Sequence, residues 1–199
     1  MRIISGLAGG IRLTSPDGRS LRPTEDRVKE SMFASLGNIL QGAVVVDLFS
    51  GTGALGLEAL SRGAIKVIMV EVDRRHVRYI EQNLQAVLKS MGAQAGQAEI
   101  INMDVRSVHA LLASRGLHAD VVLADPPYHP QGKGAYGGHE LLTDAGLLSW
   151  ADQALLMLEH ASDTTPPWAP LSPWQLIRTR TYGIRAVSFA RASQEGESG

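Results

Sequence analysis

Residues 43–48 form a short apolar run, Ala-Val-Val-Val-Asp-Leu, that leads directly into a turn rich in glycine. A run without polar alternation is typical of a strand that is covered on both faces in a parallel sheet. Similar runs return at residues 65–71, 98–103, 120–124 and 155–158, and residues with helical periodicity separate most of them. This alternation predicts an α/β fold with a doubly wound, mostly parallel sheet and right-handed crossovers.

The two ends of the chain depart from this alternation. Residues 174–181 and 184–191 read as two strands that meet at Tyr182-Gly183. Because that connection is too short for a helical crossover, we expect an antiparallel hairpin at the C-terminal end of the sheet. Residues 2–13 alternate around glycines and predict a small N-terminal hairpin, followed by a helix.

The length of 199 residues suits one domain. We expect residues 1–40 to form an N-terminal extension of hairpin and helix, residues 41–192 the main domain, and residues 193–199 a disordered tail. The proline-rich residues 163–173 are expected to form a loop.

The composition excludes several classes of protein. The chain has no cysteine, which excludes disulfides, thiolate zinc sites and thiol nucleophiles. No apolar run approaches the ~18 residues of a membrane span, and the first residues lack the apolar core of a secretory signal. We therefore expect a soluble, cytoplasmic protein that makes no use of a membrane.

The net charge of −1 hides basic ends. Residues 1–22 hold four arginines and one acid, and residues 171–199 hold four arginines and two acids. Such ends favour contact with a phosphate backbone. It is equally consistent with the sequence that these arginines are simply scattered over a solvated surface.

The segment Gly51-Thr52-Gly53-Ala54-Leu55-Gly56 fits the pattern G-x-G-x-x-G between a strand and a helix. Glu71 follows Gly51 by twenty residues and ends the second predicted strand. In nucleotide-binding sheets this spacing places the glycines beneath the ligand and a carboxylate against its ribose hydroxyls. The alternative is a tight turn in which the glycines serve packing alone.

Two ligands compete for this turn. A dinucleotide would place its pyrophosphate at the helix N-terminus, whereas S-adenosylmethionine carries a positive sulfonium and no phosphate. Asp47 ends the first strand, where it would repel a pyrophosphate but contact an amino group. Asp104 follows the third strand and is placed to bind an adenine amine, or else to cap the next helix. The acids favour S-adenosylmethionine, with the candidate cofactor-binding residues Asp47, Gly51, Thr52, Gly53, Glu71 and Asp104.

The tetrapeptide Asp125-Pro126-Pro127-Tyr128 directly follows the fourth predicted strand. Its prolines fix the backbone and remove two N–H donors, which leaves carbonyl acceptors beside a carboxylate and an aromatic ring. A nucleobase amine can donate to Asp125 and to the Pro126 carbonyl while the base stacks on Tyr128. All four residues are therefore candidate catalytic residues, and the alternative is a rigid turn with a core tyrosine.

Together with this tetrapeptide, residues 22–33 and 47–63 resemble the bacterial 16S ribosomal RNA guanine-N2 methyltransferases of the RsmD type. The resemblance implies a Rossmann-like S-adenosylmethionine-dependent methyltransferase fold with a seven-stranded sheet. It also implies methyl transfer to the N2 amine of a guanine in 16S ribosomal RNA, free or within a small-subunit assembly intermediate. We expect a monomer that needs no metal, with the candidate RNA-binding residues Arg2, Arg12, Arg22 and Arg27.

Other functions stay open at this point. Arg22 and Arg27 are as well explained by charge pairing at a helix end as by RNA phosphates. A methyltransferase acting on adenine or cytosine amines of DNA or RNA would use the same tetrapeptide. The glycine motif alone would also allow a nicotinamide-dependent oxidoreductase, and an inactive RNA-binding scaffold is the third alternative.

Overall fold

The computed structural model describes residues 1–16, 23–128, 136–168 and 172–192. The chain divides into two compact units, residues 1–105 and 106–199. The predicted disordered tail, residues 193–199, lies outside the described residues, as do residues 169–171 of the predicted proline-rich loop.

In the first unit, strands and helices alternate after an N-terminal segment. The helices are α1 (Pro23–Leu36), α2 (Ala54–Ser61) and α3 (Arg74–Met91). The strands are β1 (Val44–Asp47), β2 (Lys66–Val70) and β3 (Gln97–Ile101). β2 pairs in parallel with both other strands, with Val45 opposite Val67 and Ile68 opposite Glu99.

The chain continues through α4 (Val105–Ser114) into the second unit. β4 (Val121–Ala124) and β5 (Leu155–Ala161) are separated by two short helices, α5 (Gly138–Thr143) and α6 (Ala145–Trp150). The last strands are β6 (Trp174–Tyr182) and β7 (Arg185–Ala192). β4 and β5 are parallel, whereas β7 is antiparallel to both β5 and β6.

The predicted fold class is confirmed. Within the described residues, β1 to β5 alternate with helices and their pairings within each unit are parallel, and β6 and β7 follow as an antiparallel hairpin. β5 is longer than the predicted 155–158, because it continues to Ala161 alongside β7. Helices α5 and α6 were not predicted, since six residues are too few to display a helical period.

Burial explains why the strands read as apolar runs. β4 and β5 are buried along their whole length, so neither strand needs a polar face. α3 is amphipathic and turns Ile80, Asn83, Val87 and Met91 inward. Among the described residues, no helix combines the length and the apolar character that crossing a bilayer requires.

The N-terminal residues fold back on themselves through a single antiparallel bridge between Arg2 and Arg12. The N–H of Ile3 donates to the carbonyl of Ile11 at 2.8 Å, and the N–H of Gly10 donates to the carbonyl of Ile3 at 2.8 Å. The predicted hairpin is therefore present in a minimal form, without two regular strands.

A buried carboxylate on α2 anchors this N-terminal segment. Glu58 accepts the backbone N–H groups of Ile4 at 2.7 Å and Ser5 at 3.1 Å. The same carboxylate pairs with Lys29 of α1 at 3.2 Å and with Arg62 at 2.7 Å. One fully buried acid thus joins α1, α2 and the start of the chain.

Candidate active site

The glycine turn between β1 and α2 uses its three glycines in different ways. Gly51 and Gly53 have φ angles of +54° and +83°, which favour glycine. A side chain at Gly51 would meet open space, whereas one at Gly56 would come within 2.7 Å of Met69. Gly56 therefore serves the packing of α2 on β2, and Gly51 leaves the outer side of the turn open to a ligand.

Glu71, directly after β2, is joined to this turn. Its Oε2 accepts the backbone N–H of Gly51 at 2.8 Å, and its Oε1 accepts the backbone N–H of Asp73 at 2.8 Å. Asp73 in turn caps α3 by accepting the N–H of Arg75. The structure thus brings Glu71 and the glycine turn together, as the twenty-residue spacing predicts, and it also ties both to the start of α3.

Asp47, the last residue of β1, is fully buried beneath the turn. Its Oδ2 accepts the backbone N–H of Gly56 at 2.9 Å, while its Oδ1 has no hydrogen-bond partner among the described residues. Burial raises the pKa of Asp47 to about 7, although the N–H of Gly56 favours the charged form. A buried acceptor without a partner is the feature that a cationic amino group would satisfy, so the residues present fit the amino-acid end of S-adenosylmethionine.

Thr52 is held by Asn83, a residue that no sequence motif identifies. The side-chain Nδ2 of Asn83 donates to the carbonyl of Thr52 at 2.9 Å and to the carbonyl of Thr14 at 3.0 Å. Its Oδ1 accepts the N–H of Thr14 at 2.7 Å. The sequence does mark Asn83 as unusual, because it is a polar residue on the apolar face of α3.

Asp104 lies between β3 and α4, at the same edge as the end of β2. Two residues earlier, the Nδ2 of Asn102 donates to the carbonyl of Glu71 at 2.8 Å and to that of Val72 at 3.0 Å. The ends of β2 and β3 are therefore connected, and the first unit gathers all six candidate cofactor-binding residues at the ends of its strands.

In the second unit, the tetrapeptide follows β4 directly. Pro126 is buried, Pro127 is exposed, and Asp125 and Tyr128 are half-buried. The Tyr128 hydroxyl donates to Oε1 of Glu159 at 2.5 Å. Burial, and then this hydrogen bond, hold the pKa of Tyr128 far above its usual value, so its hydroxyl is a protonated donor at neutral pH.

Glu159 was not predicted as a site residue. It lies on β5, is 3% exposed, and accepts the Nη1 of Arg185 at 3.0 Å on the same oxygen that binds Tyr128. The sequence did contain a signal, because an acid directly follows the apolar run of residues 155–158. The same position, at or directly after the end of an apolar strand, is what identified Asp47, Glu71 and Asp104 as candidate site residues.

A cavity of about 420 Å³ opens beside the tetrapeptide, within the second unit. Pro126, Pro127 and Tyr128 line one part of it, and Glu159 and His160 line another. A cavity with an aromatic ring, exposed proline surface and a carboxylate suits a planar base with hydrogen-bond donors.

The candidate RNA-binding arginines differ in their surroundings. The Nε of Arg2 pairs with Oδ2 of Asp26 at 3.0 Å, while its side chain stays 50% exposed. Arg12 and Arg27 are exposed, and Arg22 lies outside the described residues. Within the described ranges, no three of the side chains that commonly bind metals are grouped as a metal site would need.

Comparison with known proteins places this chain among methyltransferases. The family model described as conserved hypothetical protein 95 matches residues 1–191. Ribosomal RNA small subunit methyltransferase D of Escherichia coli is 37% identical over 199 residues, which are 100% of this chain and 93% of that protein.

Solved structures give the same result for the fold. The Escherichia coli protein yhhF, assigned as a methyltransferase, superposes with a TM-score of 0.71 at 34% identity, covering 97% of this chain and 98% of that one. SMU.776, also assigned as a methyltransferase and complexed with SAH, has a TM-score of 0.65 at 14% identity, covering 86% of this chain and 50% of that one. The fold expected from the family resemblance is therefore confirmed.

Proposed function

Because the chain belongs to the family of ribosomal RNA small subunit methyltransferase D, we propose that it transfers a methyl group from S-adenosylmethionine to the N2 amine of a guanine in 16S ribosomal RNA. The observation that carries the proposal is the cavity beside the tetrapeptide, lined by Pro126, Pro127 and the ring of Tyr128. This site suits a base with an exocyclic amine. A nicotinamide-dependent oxidoreductase, the alternative function, would not explain the tetrapeptide.

The first unit supplies the residues for the methyl donor. S-adenosylmethionine, when bound, provides an electrophilic methyl group on a positively charged sulfur. Asp47 receives its amino group through the unpartnered Oδ1, and Gly51 provides the open side of the turn. Glu71 has two oxygens that already accept N–H groups, and each can still accept a ribose hydroxyl.

The second unit supplies the residues for the base. The guanine amine is a weak nucleophile because its lone pair is shared with the ring. Asp125 and the Pro126 carbonyl each accept one amine hydrogen, which fixes the orientation of the nitrogen lone pair and withdraws the base from water. The tetrahedral product nitrogen is acidic, so Asp125 or water takes its proton after the transfer, and no strong base is required.

The RNA backbone is held by Arg2, Arg12, Arg22 and Arg27, whose charges replace counterions along the phosphates. The enzyme works as a cytoplasmic monomer on free 16S ribosomal RNA or on an assembly intermediate of the small subunit.

Mass spectrometry of nucleosides tests the proposal. Purified protein is incubated with S-adenosylmethionine and small ribosomal subunits from cells that lack this activity, and the 16S ribosomal RNA is then digested. We expect one new N2-methylguanosine per subunit. N6-methyladenosine or N4-methylcytosine instead would overturn the choice of base, and the absence of any methylated nucleoside would overturn the activity.

Two variants serve as controls in this assay. Asp125→Ala removes the acceptor for the amine and should abolish the product. Asp152→Ala removes an exposed acid outside both candidate sites and should leave product formation unchanged.

A further inference from the structure

We propose that Glu159 selects guanine by accepting the N1–H next to the reacting amine. This inference rests on the proposed function, because it concerns how the same cavity recognises its base. No motif assigns a role to Glu159, and its place beside the tetrapeptide becomes apparent only from the pairing of β4 with β5.

The register of the second unit places Glu159 beside the tetrapeptide. β4 and β5 are parallel, with Ala124 opposite Leu158. Asp125 and Glu159 are the next residues on the two strands, so both follow the last paired residues at the same edge. Glu159 also lines the cavity that Pro126 and Tyr128 line.

The carboxylate of Glu159 is fixed in place. Its side chain is 5% exposed, and its Oε1 receives both the Tyr128 hydroxyl at 2.5 Å and Arg185 at 3.0 Å. A buried carboxylate is tolerated where charge and hydrogen bonds compensate it, and Arg185 supplies the opposite charge. A carboxylate has acceptor sites on two oxygens, and both of these bonds fall on one of them.

The chemistry of the base then gives the selectivity. Guanine presents the N1–H donor directly beside its N2 amine. In adenine and in 2-aminopurine, N1 is an acceptor, and its lone pair would face the negative charge of Glu159. A site built around a hydrogen bond rejects an analogue that lacks the donor far more strongly than an apolar pocket rejects a change of size.

Tyr128 links this recognition to the position of the base. Its hydroxyl is bound to Glu159, so the plane on which the base stacks and the acceptor for N1–H form one assembly. Because Tyr128 and Glu159 line the same cavity, a guanine stacked on the Tyr128 ring would present its N1–H to the carboxylate of Glu159.

The test compares two substrates that both carry a 2-amine. Small subunits are reconstituted with 16S ribosomal RNA that is ligated to hold either guanosine or 2-aminopurine riboside at the methylated position. We expect the wild type to methylate the guanosine substrate at least tenfold faster. Equal rates on the two substrates would overturn the role of Glu159 without the use of any variant, while leaving the proposed function intact.

Glu159→Gln provides the second measurement. Its side-chain amide can donate to N1 of 2-aminopurine, so the preference for guanosine should fall to within about threefold. If the variant slows both substrates by the same factor, Glu159 only positions Tyr128 and the inference is wrong. Tyr128→Phe is the matched control, because it removes the hydroxyl but keeps Glu159, and it should retain the preference at a lower rate.

A failure of the proposed function gives a different result. The wild type would then leave the guanosine substrate unmethylated, whereas a failure of this inference alone leaves that substrate methylated and changes only the ratio between the two substrates.

Discussion

Glu71 accepts the backbone N–H of Gly51 at 2.8 Å, across the twenty residues that separate them in the chain. The other oxygen of the same carboxylate accepts the N–H of Asp73, at the beginning of α3. The side chain that is expected to receive the ribose therefore also fixes the turn that is expected to lie beneath the cofactor. Loss of Glu71 should affect the shape of the turn as well as its chemistry.

We expect Glu71→Ala to weaken the binding of S-adenosylmethionine by about ten- to a hundredfold, because two backbone N–H groups and the ligand lose an acceptor. Isothermal titration calorimetry measures the change. Glu81→Ala, which removes an exposed acid on α3, is the control and should bind like the wild type. Unchanged affinity in Glu71→Ala would show that this carboxylate does not face the cofactor.

The affinity for S-adenosylmethionine should depend on pH through Asp47. Burial raises the pKa of this carboxyl to about 7, and a cationic amino group favours its ionised form. Binding should therefore release a proton, and affinity should rise by at most about tenfold per pH unit as the pH is raised to about 7. Titrations at several pH values would measure this slope, which Asp47→Asn should abolish along with part of the affinity.

Variants of the tetrapeptide should separate capture of the base from capture of the cofactor. Asp125→Ala should reduce methyl transfer by about a hundredfold or more, because the orientation of a weak nucleophile is lost, while cofactor affinity changes little. Tyr128→Ala should lose stacking worth about 1–3 kcal/mol. Single-turnover rates and calorimetry on the same samples measure the two effects. A fully active Asp125→Ala variant would mean that the tetrapeptide is only a turn.

The structure adds a second reason for an intermediate activity of Tyr128→Phe. Stacking requires only the ring, so the sequence predicts that this variant retains most activity. The hydroxyl, however, donates to Glu159, and a hydrogen bond to a charged acceptor contributes about 1.5–3 kcal/mol. We therefore expect Tyr128→Phe to lie between the wild type and Tyr128→Ala in single-turnover rate.

The buried acid on α2 should be important for stability. Lys29 is almost fully buried, and burial lowers its pKa despite the opposing charge of Glu58. Glu58→Ala leaves this cation and two backbone N–H groups without their acceptor, which should cost about 3–5 kcal/mol in the free energy of unfolding. Urea denaturation measures the loss. Arg75→Ala breaks an exposed ion pair instead and should change the free energy of unfolding far less than Glu58→Ala does.

RNA binding should distinguish the arginines by their surroundings. Arg12→Ala and Arg27→Ala should each weaken binding of 16S ribosomal RNA and lower the slope of log affinity against log salt by about one. Arg2 is already paired with Asp26, so its replacement should have a smaller effect. Filter-binding measurements over a range of salt concentrations provide the slopes. If the Arg2 and Arg12 variants both keep the wild-type slope, the N-terminal hairpin is a structural element only.

The fold class could be predicted from the sequence because the patterns that indicate it involve residues close together in the chain. The β-branched run before Gly51 and the spacing to Glu71 need only neighbouring elements, and both predictions agree with the structure. Glu159 and Asn83 stand out in the sequence as polar residues beside apolar ones, but their partners lie 31 and 69 residues away and become neighbours only through packing, so their roles could not be predicted. The place of Asp47 at the end of a strand could be predicted from the sequence, but its burial could not, because it depends on α2 closing over it.

Asn83 connects the glycine turn of the first unit to the residues that follow the N-terminal hairpin. One amide holds the carbonyl of Thr52 in the glycine turn and both backbone groups of Thr14, just after the N-terminal hairpin. If RNA docks on that hairpin and the cofactor binds at that turn, the two ligands act on the same side chain. Their affinities are then thermodynamically linked, and by reciprocity whatever factor the cofactor imposes on RNA binding is the factor that RNA imposes on cofactor binding.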